Sequence, residues 1–272
     1  LFSVKKGEEA TVTGDKGTVV NGQNLVAHAP LFQVTGEGTA LTLEDINLQN
    51  GRNHGKQGGA VFVSDNGSLT CSNVTFTGNR AIGDASTTND YSGGGAVYAT
   101  EAELNIDNCK FIDNTVSYGN GGAIYADQNT SGTIQNSTFD GCEITEAKSN
   151  TYDNPDDGVG GAIYCRMSGD LAILNNTISN CTAKTNGGGI SILIDQYAVD
   201  PTTVGDVTLD GNVITNCVAG QRGGGMSLYN ILAGSESKIH LFSGQISDCS
   251  ADCFFILIGT CRIDQSISFC NG

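Results

Sequence analysis

One short signature recurs along most of the chain: a glycine pair, a small residue, then an apolar strand. It reads Gly58-Gly59-Ala60-Val61-Phe62, Gly94-Gly95-Ala96-Val97-Tyr98, Gly121-Gly122-Ala123-Ile124-Tyr125 and Gly160-Gly161-Ala162-Ile163-Tyr164. Two looser copies follow, Gly187-Gly188-Gly189-Ile190-Ser191 and Gly223-Gly224-Gly225-Met226-Ser227. A chain that repeats itself at this period does not gather around one centre. It stacks its units, and each buries its apolar face with the help of the next. The chain has 272 residues and the repeat runs through most of them. One domain over 1–272 is therefore expected, with 1–35 as an N-terminal cap or first coil and 250–272 as a C-terminal cap.

A second element accompanies each glycine strand. Apolar residues alternate with others, then an Asn-like residue, then after two more a large apolar one. Examples are Leu69, Cys71, Asn73 and Phe76; Leu104, Ile106, Asn108 and Phe111; and Leu171, Ile173, Asn175 and Ile178. Alternation at period two marks a half-buried strand. Asn, Asp, Gly or Ser at the fixed offset marks a bend. Helical periodicity is absent, and nothing between the strands reads as a hairpin. Such strands stack as a parallel β-helix, an all-β solenoid of about seven or eight coils with a rise near 4.8 Å. Asn73, Asn108, Asn136 and Asn175 are placed to form an amide ladder at the bend.

The interval from large residue to next glycine pair varies. Most intervals fit one tight turn, but those from Phe76 to Gly94 and from Phe139 to Gly160 are long. They predict side loops at one corner, carrying Tyr91 and Tyr152 with Asp153, Asp156 and Asp157. Loops on a rigid scaffold are where binding usually resides.

Charged residues make up only 15% of the chain, and Lys and Arg number 13 against 29 acidic residues, for a net charge of −16. With no basic cluster, nucleic acid and anionic membranes are poor partners. The longest apolar run, Phe254 to Ile258, is too short to span a bilayer. The chain opens on Leu1 with no charged-then-apolar leader, as a processed product or an excised fragment would. Ten cysteines without paired CxxC or Cys/His zinc spacing point to an oxidising compartment. Cys142, Cys181, Cys217 and Cys249 each follow the large residue by three. Coil spacing would place their Cα atoms within disulfide range, so vertical bridges are expected there. Cys253, Cys261 and Cys270 are further disulfide candidates where a solenoid needs closing. Cys71 and Cys165 fit inward positions as buried thiols.

These residues resemble a known group. The glycine strands, together with Phe76-Thr77-Gly78-Asn79 and Phe111-Ile112-Asp113-Asn114, are similar to the GGAI and FxxN repeats of polymorphic outer-membrane protein passengers and of adhesin-like β-helix proteins. The resemblance covers roughly residues 30 to 250. It implies a right-handed parallel β-helix, export to the cell surface, and a role in adhesion or surface structure. Cys142, Cys181, Cys217 and Cys249 stand where that repeat carries Asn.

No motif names a reaction. Parallel β-helices also house polysaccharide lyases and hydrolases, and glycoside hydrolysis needs two carboxyls facing one cleft. The polygalacturonase set is absent, and His28, His54 and His240 sit at unrelated repeat positions. No catalytic residue is assigned. Phe62, Tyr98, Tyr125 and Tyr164 point away from the inward set on successive coils. Exposed, they would stack on sugar rings or anchor a protein; covered, they would stack on one another or under the long loops. Asp153, Asp156 and Asp157 are the candidates for calcium, which takes oxygen ligands; no other cofactor is implied. The sequence thus points to an extracellular or cell-surface module that binds a glycan or protein without catalysis. The alternatives are a carbohydrate-active lyase or hydrolase and a subunit of an extracellular filament that self-associates end to end.

Overall fold

A computed structural model describes residues 2–15, 17–23, 29–55, 57–85, 92–148, 156–166, 168–194, 204–230, 238–251, 255–259, 262–263 and 267–270, the last three as backbone strands. They form short strands joined by turns, bends and irregular segments, and none of the described residues is helical. One coil shows the plan. Val61–Ser64 leads to Ser68–Ser72, then Thr75–Thr77, then Arg80–Ile82. The next coil begins at Val97–Ala99, hydrogen-bonded in parallel to Val61–Ser64. Stacked in this way, the coils make three nine-stranded sheets and a six-stranded short sheet, with a two-stranded pairing of Ser92–Gly93 and Gly119–Asn120 beside it. We call the sheet containing Val61–Ser64 the glycine sheet. The fold is a right-handed parallel β-helix.

Register is the organising feature. Leu69, Leu104, Gly132, Leu171, Val207 and Ile239 lie one over the next. Leu48, Phe76, Phe111, Phe139, Ile178, Ile214 and Ile246 do the same on the following face. The rings of Phe76, Phe111 and Phe139 stack almost flat, with centroids 4.7 and 4.6 Å apart and interplanar angles of 3° and 2°. Ring spacing and rung spacing coincide, because each ring hangs from the same place on its coil. Every member of these files except Gly132, which has no side chain, carries its apolar group into one continuous interior.

The glycine pair has a separate reason at each position. The first glycine turns the chain with a left-handed backbone, as at Gly94 (φ 62°) and Gly121 (φ 65°), where a side chain would be strained. The second lies against the coil above: a Cβ on Gly122 would sit 2.0 Å from the carbonyl oxygen of Gly161. The bend before the large residue is left-handed too, with φ near 50–56° at Asp45, Asn73, Asn108, Asn136 and Asn175. Asn and Asp tolerate that conformation better than other side chains do.

Three features differ from the expectation. Three sheets carry nine strands where seven or eight coils were expected. The outer rungs, Phe2–Val4, Glu9–Thr13 and Val19–Asn21 at one end and Phe255–Gly259, Arg262–Ile263 and Ile267–Cys270 at the other, have no glycine pair to announce them. The apolar element is two strands, because the left-handed bend divides it. The segment expected as a bare turn holds the short sheet, Arg52–His54, Arg80–Ile82, Thr115–Ser117, Glu143–Glu146, Thr182–Ala183 and Val218–Ala219.

The bend asparagines do not form the amide ladder. Asn73 and Asn136 donate outward to Asp45 and Asp107. The buried ladders sit elsewhere. Asn79 Nδ2 donates to Asn114 Oδ1 at 3.0 Å, and Asn176 Nδ2 to Asn212 Oδ1 at 3.0 Å. Each amide also closes on a backbone carbonyl, such as Asn114 Nδ2 on Phe76 O and Asn176 Nδ2 on Ile134 O.

Candidate functional site

Outside the interior, on the outer side of the glycine sheet, Phe62, Tyr98, Tyr125 and Tyr164 stack in register as expected. Ring centroids are 5.8, 4.9 and 4.8 Å apart along the file. Ser191 and Ser227 continue it. The rings are not exposed. Tyr125 and Tyr164 are fully buried, Tyr98 is 3% exposed and Phe62 is half-buried. Val159, Leu193 and Tyr229 pack with the tyrosines in an apolar cluster of their own. Of the two arrangements expected for this file, the covered one holds: the rings lie on one another and under the segment that re-enters at Asp156–Val159.

Charge is bound into this cluster. Asp127 and Arg166 stand two residues beyond Tyr125 and Tyr164, at the same repeat position on adjacent coils. Parallel register therefore sets opposite charges side by side, with Arg166 Nη1 3.6 Å from Asp127 Oδ1. Asp156 comes in from the long insertion and meets Arg166 Nε at 3.0 Å. The three side chains are 11–14% exposed. Tyr98 Oη donates to Asp127 Oδ2 at 2.7 Å, and Tyr164 Oη to Asp156 Oδ1 at 2.5 Å. Asn120 fixes the insertion from below. Its Nδ2 donates to the carbonyl and the carboxylate of Asp156, and its Oδ1 accepts from Val159 N–H at 3.1 Å. Tyr125 Oη is buried among these groups without a hydrogen-bond partner.

The electrostatics follow. Burial first, and the neighbouring carboxylates second, push the hydroxyls of Tyr98, Tyr125 and Tyr164 well above their ordinary value of 10.0. Burial acts to lower Arg166, but Asp156, the tyrosines Tyr125 and Tyr164, and Asp127 outweigh it and raise it. The guanidinium stays charged and the phenols stay neutral at any physiological pH. Arg166 is shared by two carboxylates that each also accept from a tyrosine. The arrangement fastens the insertion to the wall of the column.

The other expected site residues are placed as follows. Tyr91, Tyr152, Asp153, Cys253 and Cys261 lie outside the described residues, as does the side chain of Cys270. Asp157 accepts at Oδ1 from Lys148 N–H at 3.1 Å, and its carbonyl accepts from Thr185 Oγ1. Asp156 and Asp157 therefore serve different partners. Among the described residues no group of three or more His, Cys, Asp or Glu side chains converges as a metal site. His240 faces Asp206, with Nε2 3.4 Å from Oδ2.

Cys142, Cys181, Cys217 and Cys249 do lie one over another, but as free thiols. This corrects the expected bridges. Parallel stacking holds successive Cβ atoms about a rung apart, ~4.8 Å, beyond the separation of about 3.5–4.5 Å that a disulfide accepts. Each sulfur instead faces backbone carbonyls of its corner, Cys181 with Ser179 O at 3.1 Å and Cys249 with Ser247 O at 3.2 Å. Thiol contacts run along the file, Cys181 with Cys142 and Cys217, and Cys217 with Cys249. Hydrogen bonding with Cys142 and Cys217, then burial, pushes the Cys181 thiol up. Hydrogen bonding with Cys181 and Cys249 lowers the Cys217 thiol below its ordinary value, against the effect of burial. Cys71 and Cys165 are buried thiols in the interior, as expected.

A family model described as the right-handed β-helix region matches residues 31–263. The chain belongs to that family. No curated protein and no solved structure matches it.

Proposed function

We propose that this chain is an exported, non-catalytic surface module of the adhesin or structural kind, which holds a glycan or protein partner with the loops that leave its column. The observation that carries the reading is the closed ion cluster on the glycine sheet. A β-helix hydrolase needs two carboxyls facing a cleft, and the carboxylates gathered here, Asp127 and Asp156, are both joined to Arg166 and to tyrosine hydroxyls. Their geometry serves to hold an insertion in place.

Two features support a binding role. The insertions after Arg80–Ile82 and Glu143–Glu146 leave one corner of the column, two coils apart. A scaffold of in-register sheets fixes the feet of such loops, so a partner that bridges them meets a preset spacing. The strongly acidic composition suits an exposed surface protein or a basic partner.

A glycan array run beside a reducing-end release assay tests this. Binding without release is the expected result. Release of reducing ends that disappears in Arg166→Ala or Asp156→Asn would replace this reading with the lyase or hydrolase. Concentration-dependent fibres in light scattering would replace it with the filament subunit.

A further inference from the structure

We infer that the thiol file is a binding site for a soft, two-coordinate d10 cation, with Cu(I) as the physiological candidate and Cys217 with Cys249 as the primary pair. Thiols at one repeat position on consecutive coils are spaced by the rung rise, about 4.8 Å. Two metal–thiolate bonds of about 2.3 Å laid end to end span about 4.6 Å. An ion seated between neighbouring sulfurs therefore needs no movement of the coils, whereas a disulfide needs the Cβ atoms to close in. A single row offers two sulfurs to any one position. That excludes a tetrahedral zinc site, which needs four ligands around a point, and favours ions that thiolates select by softness.

The pair at the end of the file has three further features. Cys249 is half-buried while Cys142, Cys181 and Cys217 are fully buried, so an ion enters there. Cys217 N–H points at Cys249 Sγ at 3.4 Å, a donor for a thiolate. The small residue of the glycine signature is Ala60, Ala96, Ala123 and Ala162 on four coils but Gly189 and Gly225 on the next two, and a Cβ on Gly225 would lie 3.3 Å from Cys249 Sγ. On binding, each sulfur releases its proton and turns from its carbonyl toward its neighbour: two thiols and one Cu(I) give a bis-thiolate copper anion and two protons. No electron is transferred. Cys181 and Cys142 extend the row for further ions.

The test is anaerobic titration of the reduced full chain with Cu(I) in competition with bathocuproine disulfonate, plus copper-edge X-ray absorption. The expected result is one Cu(I) held by two sulfurs. Binding should weaken at least roughly 10–100-fold in Cys217→Ser and in Cys249→Ser, and persist in Cys71→Ser. A Cys253→Ser, Cys261→Ser, Cys270→Ser triple variant should also keep it. Circular dichroism identical to wild type qualifies each variant, and Cys249→Ala replaces any that misfolds. Equal affinity in wild type and in the Cys217 and Cys249 variants, loss of binding in the triple variant, or a Cys217–Cys249 disulfide in the isolated protein would each overturn the inference.

Discussion

At the scale of single residues, the tyrosine file separates two kinds of hydroxyl. Tyr164 Oη donates to Asp156, while Tyr125 Oη is buried with no partner. A buried donor left unpaired costs about 1–3 kcal/mol. Tyr125→Phe should therefore stabilise the protein by about 1 kcal/mol, and Tyr164→Phe should destabilise it by a similar amount. Urea midpoints of the two variants give the comparison, and equal shifts of the same sign would contradict it. The glycine pair makes a second prediction. Gly122→Ala places a Cβ 2.0 Å from the Gly161 carbonyl oxygen, so adjacent rungs must part. A loss of about 2–4 kcal/mol should follow, read as a lower thermal midpoint. The phenols and thiols also set a pH limit. Burial raises Tyr98, Tyr125 and Tyr164 above 10.0 and lifts Cys109 and Cys165 from 9.0 to about 12. The folded state then holds these protons more tightly than the unfolded chain. Stability from these groups is complete below about pH 9 and falls as pH rises through 9 to 12 and beyond. A denaturation midpoint that rises across pH 9–11 would contradict that sign.

At the scale of elements, Arg166 joins the insertion to the sheet. Arg166→Met leaves Asp127 and Asp156 facing each other's charge with no cation between them. It should cost roughly 3 kcal/mol and speed proteolysis between residues 148 and 156 before the column itself unfolds. Simultaneous loss of both would show that the insertion is not separately fastened. This cluster also marks what was legible in the sequence. The glycine signature and the period-two strands state the fold, because each repeat must satisfy the same backbone contacts. The outward direction of Phe62, Tyr98, Tyr125 and Tyr164 follows from the inward set beside them. Their burial does not, because it depends on where a chain segment from another part of the coil comes to rest. Asp127 and Arg166 were readable in principle, as opposite charges at one repeat position on neighbouring coils. Asp156 was not, since an insertion has no register to place it. The short sheet was hidden because its strands are two to four residues long, too short to show an alternation. The thiol file was placed correctly and its bonding was not: stacking satisfies the Cα spacing of a disulfide but not the approach of the Cβ atoms.

At the scale of the molecule, one geometric relation governs the rest: equivalent residues of successive coils sit directly over one another. The buried tyrosines, the paired charges, the thiol file and the fixed feet of the loops all follow from it. Thr42, Thr70, Thr133 and Thr208 form one outward file, on the second, third, fifth and seventh rungs of their sheet. Spin labels carried by unnatural amino acids leave the native cysteines untouched and measure this file directly. With one label at Thr42 and the other at Thr133 or Thr208, electron–electron dipolar spectroscopy should return separations of about 14 and 24 Å, a constant step near 4.8 Å per rung. Separations that do not grow in proportion to the number of coils between the labels would contradict the stacked column and everything drawn from it.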